Sequence, residues 1–337
     1  MDHVGERARE AQTGAMPQEG VRTRVPLLLH IGYHKTASTW LQSNLFDDPR
    51  QGFTTETGSP RHALVERLVV PDPLFYDPAE AAAGYRRAIR LAADKGCTLV
   101  LSHERLSGYP SSGGRDRQLL AERLAGTFPG AHVLIVIREQ KAVIRSMYSQ
   151  HVTDGGVESI TRFLSTPEPA LCRKPTFNLG YYCYDRLIAL YHRLFGQERV
   201  LVLPYELLAR DPHAFSASIA RHCRGEASIP TSARERVNTA RPLIMQAVQR
   251  PLNMLFYHNE LSPGALLHIP RFHKRFARLT PIFRALSPSI VERRLDARLR
   301  RIIAARVGNH YLESNQRTQA FVDHDLAALG YEVEPAA

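Results

Sequence analysis

The sequence predicts a doubly wound α/β fold, with a parallel sheet of about four to five strands, flanking helices and a basic, helical C-terminal region. Short apolar runs of strand length alternate along the chain with longer stretches of helical spacing, which is the pattern of strands joined by crossover helices. One run, at residues 133–137, reads VLIVI and is apolar throughout, as a parallel strand covered by helices on both faces requires.

The predicted elements follow one another in a regular order. Strands are predicted by apolar runs at residues 27–31, 52–55, 97–102, 133–137 and 199–204. Helices are predicted by apolar spacing at residues 61–70, 78–94, 115–126, 140–151 and 179–195, and throughout the chain from Ala214 onward. Asp77, followed by Pro78, predicts the start of the second of these helices. The Ser- and Gly-rich stretch at 107–114 predicts a flexible surface loop.

The length of the chain indicates one large domain. With 337 residues, 44% of them hydrophobic, the chain can bury a sizeable core, and we expect a single α/β domain over residues 25–337. Residues 225–306 are predicted to form a mostly helical subregion of that domain. Residues 1–24 mix charges with Gly, Gln and Thr and contain no apolar segment, which predicts a disordered leader rather than a signal peptide.

The charge of the chain points to anionic partners. The formal net charge of +11 and the pI near 9.7 suit a nucleic acid, a phosphorylated cofactor, an acidic glycan or an acidic lipid. No nucleic-acid-binding motif of a recognised type is present, so we expect no nucleic-acid partner. The four cysteines are scattered without metal-ligand spacing, which predicts reduced thiols and no metal site. No apolar run approaches about 18 residues, and we therefore expect a cytoplasmic protein.

An anion-binding turn is predicted directly after the first strand. The apolar run ends at Gly32, and the next stretch contains a lysine, three hydroxyls and no acid: His34, Lys35, Thr36, Ala37, Ser38 and Thr39. Apolar residues then restart at helical spacing with Trp40 and Leu41. A strand, a tight turn and a helix start present unpaired backbone N–H groups to one point, which makes a cradle for phosphate or sulfate. The alternative is an ordinary turn whose Ser and Thr cap a helix.

A second pair of candidate anion ligands follows the strand at 133–137. Arg138 comes directly after that strand, and Ser146 lies eight residues later, about two turns into the next helix. An arginine can grip a phosphate with two N–H groups, and a serine can donate its hydroxyl proton. The alternative is an arginine that caps the sheet edge and a serine that is solvated.

Together these two stretches resemble sulfotransferases. The segment 33–40, YHKTASTW, resembles the 5′-phosphosulfate-binding loop of that family, in a form similar to that of the bacterial carbohydrate-type members. Ala37 departs from the cytosolic members, which usually have glycine there. Arg138 and Ser146, with Tyr148 shortly after, resemble the family's 3′-phosphate motif. The resemblance implies a P-loop-like fold and transfer of a sulfuryl group from 3′-phosphoadenosine 5′-phosphosulfate to a hydroxyl of a carbohydrate or glycolipid, without a metal.

The resemblance also implies roles for individual residues. Residues 34–39 would contact the 5′-phosphosulfate, and Lys35 would stabilise the leaving phosphate as negative charge builds on its bridging oxygen. Arg138 and Ser146 would hold the 3′-phosphate of the co-substrate.

Two further matches involve the end of the last strand and the C-terminal segment. Tyr205, in the segment VLVLPYELL, resembles a family tyrosine that lies beside the adenine, with Leu207 where the family has Asp. A tyrosine that packs at a strand end is the alternative. Residues 307–317 resemble the C-terminal part of bacterial sulfotransferases, in which Asn315 would help to close the cofactor cleft.

The acceptor hydroxyl needs a general base, and two candidates stand side by side after the strand at 97–102. His103 resembles the catalytic histidine of cytosolic sulfotransferases, and Glu104 is of the type that glycan-modifying members use. Adjacent side chains usually point apart, so we expect one of them to face the acceptor, and we favour Glu104. The alternative is that Glu104 forms a solvent-exposed ion pair with Arg105 or Arg117.

The C-terminal region carries a further basic element. Residues 290–306 combine arginines with interleaved Ile and Leu, which predicts an amphipathic basic helix. This helix could contact the inner membrane face peripherally through anionic lipid, bind an acidic glycan, or present a solvated face. Residues 152–178 and 225–300 match no pattern, and we expect them to shape the pocket for a small-molecule or glycan acceptor.

Two other functions remain open from the sequence. An ATP-dependent small-molecule kinase would explain the first turn and would depend on Mg²⁺, but it gives Arg138 and Ser146 no role, and no Walker B Asp follows the apolar strands. A non-catalytic basic protein, binding a membrane or a nucleic acid through charge alone, would bind more weakly as salt rises and would tolerate the loss of Lys35.

Overall fold

The computed structural model describes residues 26–56, 62–165, 176–225, 241–256, 261 and 264–334. The leader predicted for residues 1–24 lies outside the described residues. Residues 166–175 and 226–240, which belong to the stretches expected to shape the acceptor pocket, also lie outside them.

A five-stranded parallel sheet forms the centre of the described structure. In chain order the strands are β1 (Leu27–His30), β2 (Phe53–Thr54), β3 (Thr98–Ser102), β4 (His132–Ile137) and β5 (Val200–Pro204). They lie side by side in the order β2-β3-β1-β4-β5, and every pairing is parallel. The predicted fold class is confirmed, and each predicted strand agrees with the observed one to within a residue at either end. Because β1 lies between β3 and β4, the turns that follow these three strands share one edge of the sheet.

Side chains of the strands alternate between two apolar cores, one on each face of the sheet. Leu27 and Leu29 of β1 and Ile135 of β4 pack into the larger core. Leu28 of β1 and Val136 of β4 pack into the second core. Both faces are therefore covered, which explains why the strand sequences are apolar at consecutive positions.

Helices account for most of the remaining described chain. They are α1 (Ser38–Leu41), α2 (Ala63–Leu68), α3 (Pro78–Ala83), α4 (Arg86–Asp94), α5 (Arg117–Thr127), α6 (Gln140–Thr153), α7 (Ile160–Phe163), α8 (Tyr184–Phe195), α9 (Tyr205–Arg210), α10 (Pro212–Arg224), α11 (Leu243–Phe256), α12 (Phe272–Ala277), α13 (Thr280–Leu286), α14 (Ser289–Val307) and α15 (Leu312–Gln319). Asp77 begins α3 as predicted, since its side chain accepts a hydrogen bond of 2.8 Å from the N–H of Ala79.

Two of the predicted helices are interrupted. The helix predicted over 78–94 is divided into α3 and α4 at Tyr85, whose ring is buried edge-on against that of Phe128, with the centroids 5.4 Å apart. The helix predicted over 179–195 starts as a separate 3₁₀ turn at Leu179–Tyr182 before α8.

The prediction of a flexible surface loop at 107–114 is wrong. This stretch runs through two 3₁₀ turns, Glu104–Ser107 and Pro110–Ser112, and Ser107 is fully buried with its hydroxyl bonded to the Tyr181 hydroxyl at 3.0 Å. Gly114 has a φ of +62°, and a Cβ there would lie 2.3 Å from the Tyr181 ring. The small residues are therefore present because the backbone packs closely against an aromatic ring.

Four buried tyrosines pack together where the chain leaves β1. They are Tyr33, Tyr181, Tyr182 and Tyr184. The ring of Tyr33 packs edge-on against those of Tyr181 and Tyr184, with centroids 5.2 and 4.8 Å apart. The Tyr184 hydroxyl donates to the carbonyl of Arg138 and accepts from the N–H of the same residue at 3.3 Å. The tyrosines therefore connect the turn after β1 to the residue that follows β4.

The basic helix predicted near the C-terminus is α14, and its apolar side faces the core. Ile303 and Val307 are buried, and Asp296 forms an ion pair with Arg145 of α6. Among the residues described, we find no helix with the length and apolarity needed to span a membrane.

Replacing Tyr184 by Phe is expected to lower the free energy of unfolding by about 1–3 kcal/mol, because it leaves the partly buried backbone of Arg138 without its hydroxyl partner. Urea denaturation followed by circular dichroism measures the change. Tyr191 supplies a matched control, since it lies on the same helix, is equally buried, and has no hydrogen-bond partner for its hydroxyl within the described residues. Tyr191→Phe should not lower the free energy of unfolding, and equal losses in the two variants would contradict the role assigned to Tyr184.

Candidate functional site

Two residues of the turn after β1 adopt a left-handed backbone. Lys35 and Ala37 both have a φ of +66°, and α1 begins directly after Ala37. A residue with a side chain pays about 1–2 kcal/mol for this conformation, so Ala37 is strained where a glycine would not be. Within the described residues, the backbone N–H groups from Lys35 to Thr39 donate to no carbonyl, and they are available to an anion.

The three hydroxyls of this turn are not equivalent. Thr36 is fully buried, and its hydroxyl donates to the carbonyl of Tyr33, so that it holds the turn together. The Oγ of Ser38 is buried and has no hydrogen-bond partner in the described part of the chain. Thr39 is exposed. Ser38 and Thr39 can therefore donate to a ligand, whereas Thr36 uses its proton within the turn.

Lys35 extends from the turn to α6. Its ammonium donates to the Oε1 of Gln150, and the Nε2 of Gln150 donates to the Oδ1 of Asp154 at 2.6 Å. Burial lowers the pKa of Lys35, while the carboxylates of Asp154 and Glu104 act in the opposite direction. The lysine charge therefore lies in a partly dry environment, where it acts on a bound anion with little screening.

Arg138 connects the second predicted motif to the first. Its Nη1 donates to the carbonyl of Lys35 at 2.9 Å, across 103 positions of sequence, and its guanidinium lies 4.6 Å from the centroid of the Tyr205 ring. Ser146 comes one turn before Gln150 on α6, and residues four apart share a helix face. The Ser146 hydroxyl is therefore on the side of α6 that meets Lys35.

His103 and Glu104 begin the turn after β3 in different surroundings. His103 caps the turn, because its Nδ1 accepts from the N–H of Arg105 at 3.0 Å. Burial acts to raise the pKa of Glu104, but a hydrogen bond from its own backbone N–H and the neighbouring His34, His103 and His30 outweigh it, so the pKa lies below its usual value. Glu104 is therefore an ionised carboxylate at neutral pH.

The arginines that were alternative partners of Glu104 are bound elsewhere. Arg105 forms an ion pair with Asp116, and Arg117 donates to the carbonyl of Tyr181 at 2.9 Å. Within the described residues Glu104 forms no ion pair with either arginine.

Two histidines from β1 and its following turn, buried His30 and partly buried His34, lie near the same carboxylate. His30, the last residue of β1, shares a hydrogen bond of 2.7 Å between its Nδ1 and the Oγ of Ser102, and a Cβ on Gly32 would lie 2.5 Å from its Nε2. Burial lowers the pKa of His30 and of His34 to about 4, so both rings are neutral at pH 7. His30 was not predicted from the sequence as a residue of this site. Its position inside an apolar strand is the signal that could have indicated it.

The C-terminal segment closes over the start of α6. Asn315 is fully buried, its Oδ1 accepts from the Nε2 of Gln140, and its Nδ2 donates to the carbonyl of Glu332 at 3.0 Å. Gln140 lies two residues after Arg138. Asn315 thus anchors the chain end beside the second motif, and its side chain is occupied by protein groups.

Comparison with known proteins does not give a family. No protein-family model matches this chain, and no curated protein matches it. Among solved structures, the chain is similar to a sulfotransferase from Alicyclobacillus acidocaldarius, with 20% sequence identity and a TM-score of 0.44, over 68% of this chain and 92% of that one. A similarity of this size does not assign the chain to a family, so its function has to be inferred from the residues of the site.

The ammonium of Lys35 is expected to lose its proton at a lower pH than an exposed lysine, because burial lowers its pKa. Amine labelling at a series of pH values, read by mass spectrometry, gives the midpoint for each lysine, and exposed Lys95 is the internal control. Asp154→Asn should lower the Lys35 midpoint further, because a nearby negative charge that favours the ammonium is removed. A Lys35 midpoint equal to that of Lys95 would contradict the buried position.

Proposed function

We propose that this protein is a sulfotransferase that moves a sulfuryl group from 3′-phosphoadenosine 5′-phosphosulfate to an acceptor hydroxyl. The proposal rests on the contact between two candidate anion-binding elements, the turn after β1 and the stretch from Arg138 to Ser146. Arg138 donates to the carbonyl of Lys35, and Lys35 donates to Gln150 on the helix that carries Ser146. Such a pair suits a nucleotide with anionic groups on both its 3′ and 5′ sides, which distinguishes this co-substrate from ATP.

In the proposed reaction the acceptor oxygen bonds to sulfur while the bond between sulfur and the bridging oxygen breaks. Lys35 neutralises the charge that develops on the bridging oxygen, together with the N–H groups of the turn and the Ser38 hydroxyl. Arg138 and Ser146 bind the 3′-phosphate, and Tyr205 adds an aromatic surface for the adenine. The second product is 3′,5′-adenosine bisphosphate, and the scheme requires no metal.

The proton of the acceptor hydroxyl is proposed to pass to Glu104. Its carboxylate is ionised, and Arg105 and Arg117 are bound to other groups. His103 is the alternative base, with its Nδ1 occupied by the N–H of Arg105. Glu104 follows β3, and β3 pairs with β1, so the proposed base and the Lys35 turn lie at neighbouring strand ends.

The acceptor is proposed to be a carbohydrate or glycolipid hydroxyl. The support is the form of the turn after β1, which resembles that of bacterial carbohydrate-type sulfotransferases, and the positive charge of the chain, which suits an acidic glycan.

Calorimetric titration with 3′,5′-adenosine bisphosphate tests the co-substrate. Arg138→Ala should weaken binding of the bisphosphate about 10- to 100-fold, because a charged hydrogen bond to the 3′-phosphate is lost. It should weaken binding of ADP by a smaller factor, because only the support that Arg138 gives to the Lys35 turn is lost there. Arg145→Ala removes the same charge from α6, where Arg145 is paired with Asp296, and should bind as the wild type does. ADP with Mg²⁺ binding as tightly as the bisphosphate to the wild type would instead favour the kinase.

Glu104→Gln is expected to lower kcat by about 10²- to 10⁴-fold, because a positioned base is removed, whereas His103→Gln should retain most of the turnover. Transfer from radiolabelled co-substrate to a sugar acceptor found by screening measures both. Since the Glu104 pKa lies below its usual value, the loss of kcat/KM of the wild type in acid should be centred below the ordinary glutamate pKa of about 4.3. A loss of activity centred near pH 6.5 would indicate a histidine base instead.

A further inference from the structure

The chain from the end of α11 to the first turn of α14 exposes aliphatic side chains. Leu266 and Leu286 are 78% and 75% exposed. The exposed aliphatic residues, which we call the apolar patch, are Leu266, Leu267, Leu279, Ile282, Leu286 and Ile290. Exposed aliphatic side chains that are concentrated in one stretch of a chain usually mark a binding surface. We therefore ask what the apolar patch binds.

Three residues of the patch lie along one side of α13. Leu279, Ile282 and Leu286 are spaced by three and four residues, so they form one stripe along the helix. Phe283 packs towards the protein, with its ring centroid 5.8 Å from that of buried Phe276. The helix is therefore held by an aromatic contact on one side and presents its aliphatic stripe on another.

The stretch before α12 is also held by the protein. The N–H of Leu267 donates to the carbonyl of Leu255 at 2.9 Å, and the N–H of Ile269 donates to the carbonyl of Phe256 at 3.0 Å. These bonds align the backbone with the end of α11, while the side chains of Leu266 and Leu267 remain exposed.

The charges around the patch have a single sign. Residues 264–291 contain no Asp or Glu, and their cationic residues are all exposed. These five are Arg271, Lys274, Arg275, Arg278 and Arg284. Cations that surround exposed Leu and Ile are the composition of a segment that lies in a membrane interface.

We propose that the apolar patch and its five cations dock this protein peripherally on an anionic lipid bilayer. The aliphatic side chains would enter the boundary between headgroups and acyl chains, and the arginines would contact headgroup phosphates. A protein interface is usually enriched in aromatic residues at its centre, whereas no Phe, Tyr or Trp side chain of residues 264–290 is exposed. The proposed contact overlaps the stretch 290–306 at Ile290 and extends from it towards the N-terminus, whereas Ile303 and Val307 at the other end of α14 are buried.

Sedimentation with sucrose-loaded vesicles tests this proposal. The full chain should pellet with phosphatidylcholine vesicles that contain about 30% phosphatidylserine, and not with phosphatidylcholine alone, since the cations need an anionic surface. The double variant Ile282→Ser, Leu286→Ser should bind about tenfold more weakly or worse. Leu74→Ser with Phe75→Ser is the matched control, because these residues are 89% and 83% exposed in another region of the chain, and it should bind like the wild type.

The cations are tested in the same assay. Arg275→Glu with Arg278→Glu should weaken binding to the anionic vesicles by more than about tenfold, whereas Arg86→Glu with Arg90→Glu, on exposed positions of α4, should have a much smaller effect. Unchanged binding of 3′,5′-adenosine bisphosphate shows that each variant is folded and separates this proposal from the proposed function. No pelleting with anionic vesicles, or equal losses in patch and control variants, would overturn the proposal.

Discussion

The hydrogen bond from the Arg138 guanidinium to the Lys35 carbonyl is the contact on which the site depends. It joins the turn after β1 to the residue that follows β4, and β1 and β4 pair directly in the sheet. Arg138 lies on the ring of Tyr205, and Lys35 donates to the amide oxygen of Gln150. Among the described residues, both cations thus make their hydrogen bonds to neutral groups, and neither forms a direct ion pair, although the carboxylates of Asp154 and Glu104 favour the charged form of Lys35. That is the electrostatic condition for binding an anion rather than for forming a structural ion pair.

The C-terminal segment helps to fix the residues that follow Arg138. The Glu206 carboxylate accepts from the N–H of Glu139 at 3.0 Å and from the hydroxyl of Tyr331 at 3.1 Å. Burial raises the pKa of Glu139, whose side chain caps the start of α6. Together with the bonds of Asn315, these contacts fix the residues that follow Arg138. The last part of the described chain is thus integral to the geometry of the site, although it is distant from it in sequence.

The sheet was predictable from the sequence because a strand buried on both faces must be apolar at consecutive positions, and such runs stand out from helical spacing. Lys35 and Arg138 could be predicted to meet because both follow parallel strands. Gln150 and Asp154 could not, since a polar residue on a helix gives no sign of what it faces until the helix is packed. His30 was not predicted because the run at 27–31 was judged by its apolar residues alone. The small residues at 107–114 were misread because Gly and Ser serve close packing as well as flexibility.

Ala37 has a consequence for how the turn after β1 is held in its shape. Glycine would adopt the left-handed backbone without strain, but it would also let the turn sample many other conformations. Alanine restricts those alternatives in the unfolded chain, but it also disfavours the left-handed backbone that the folded turn adopts. The packing around Ala37 must therefore supply the free energy, about 1–2 kcal/mol, that holds it in this conformation. The shape of the turn is thus imposed by the surrounding fold rather than by the preference of its own residue.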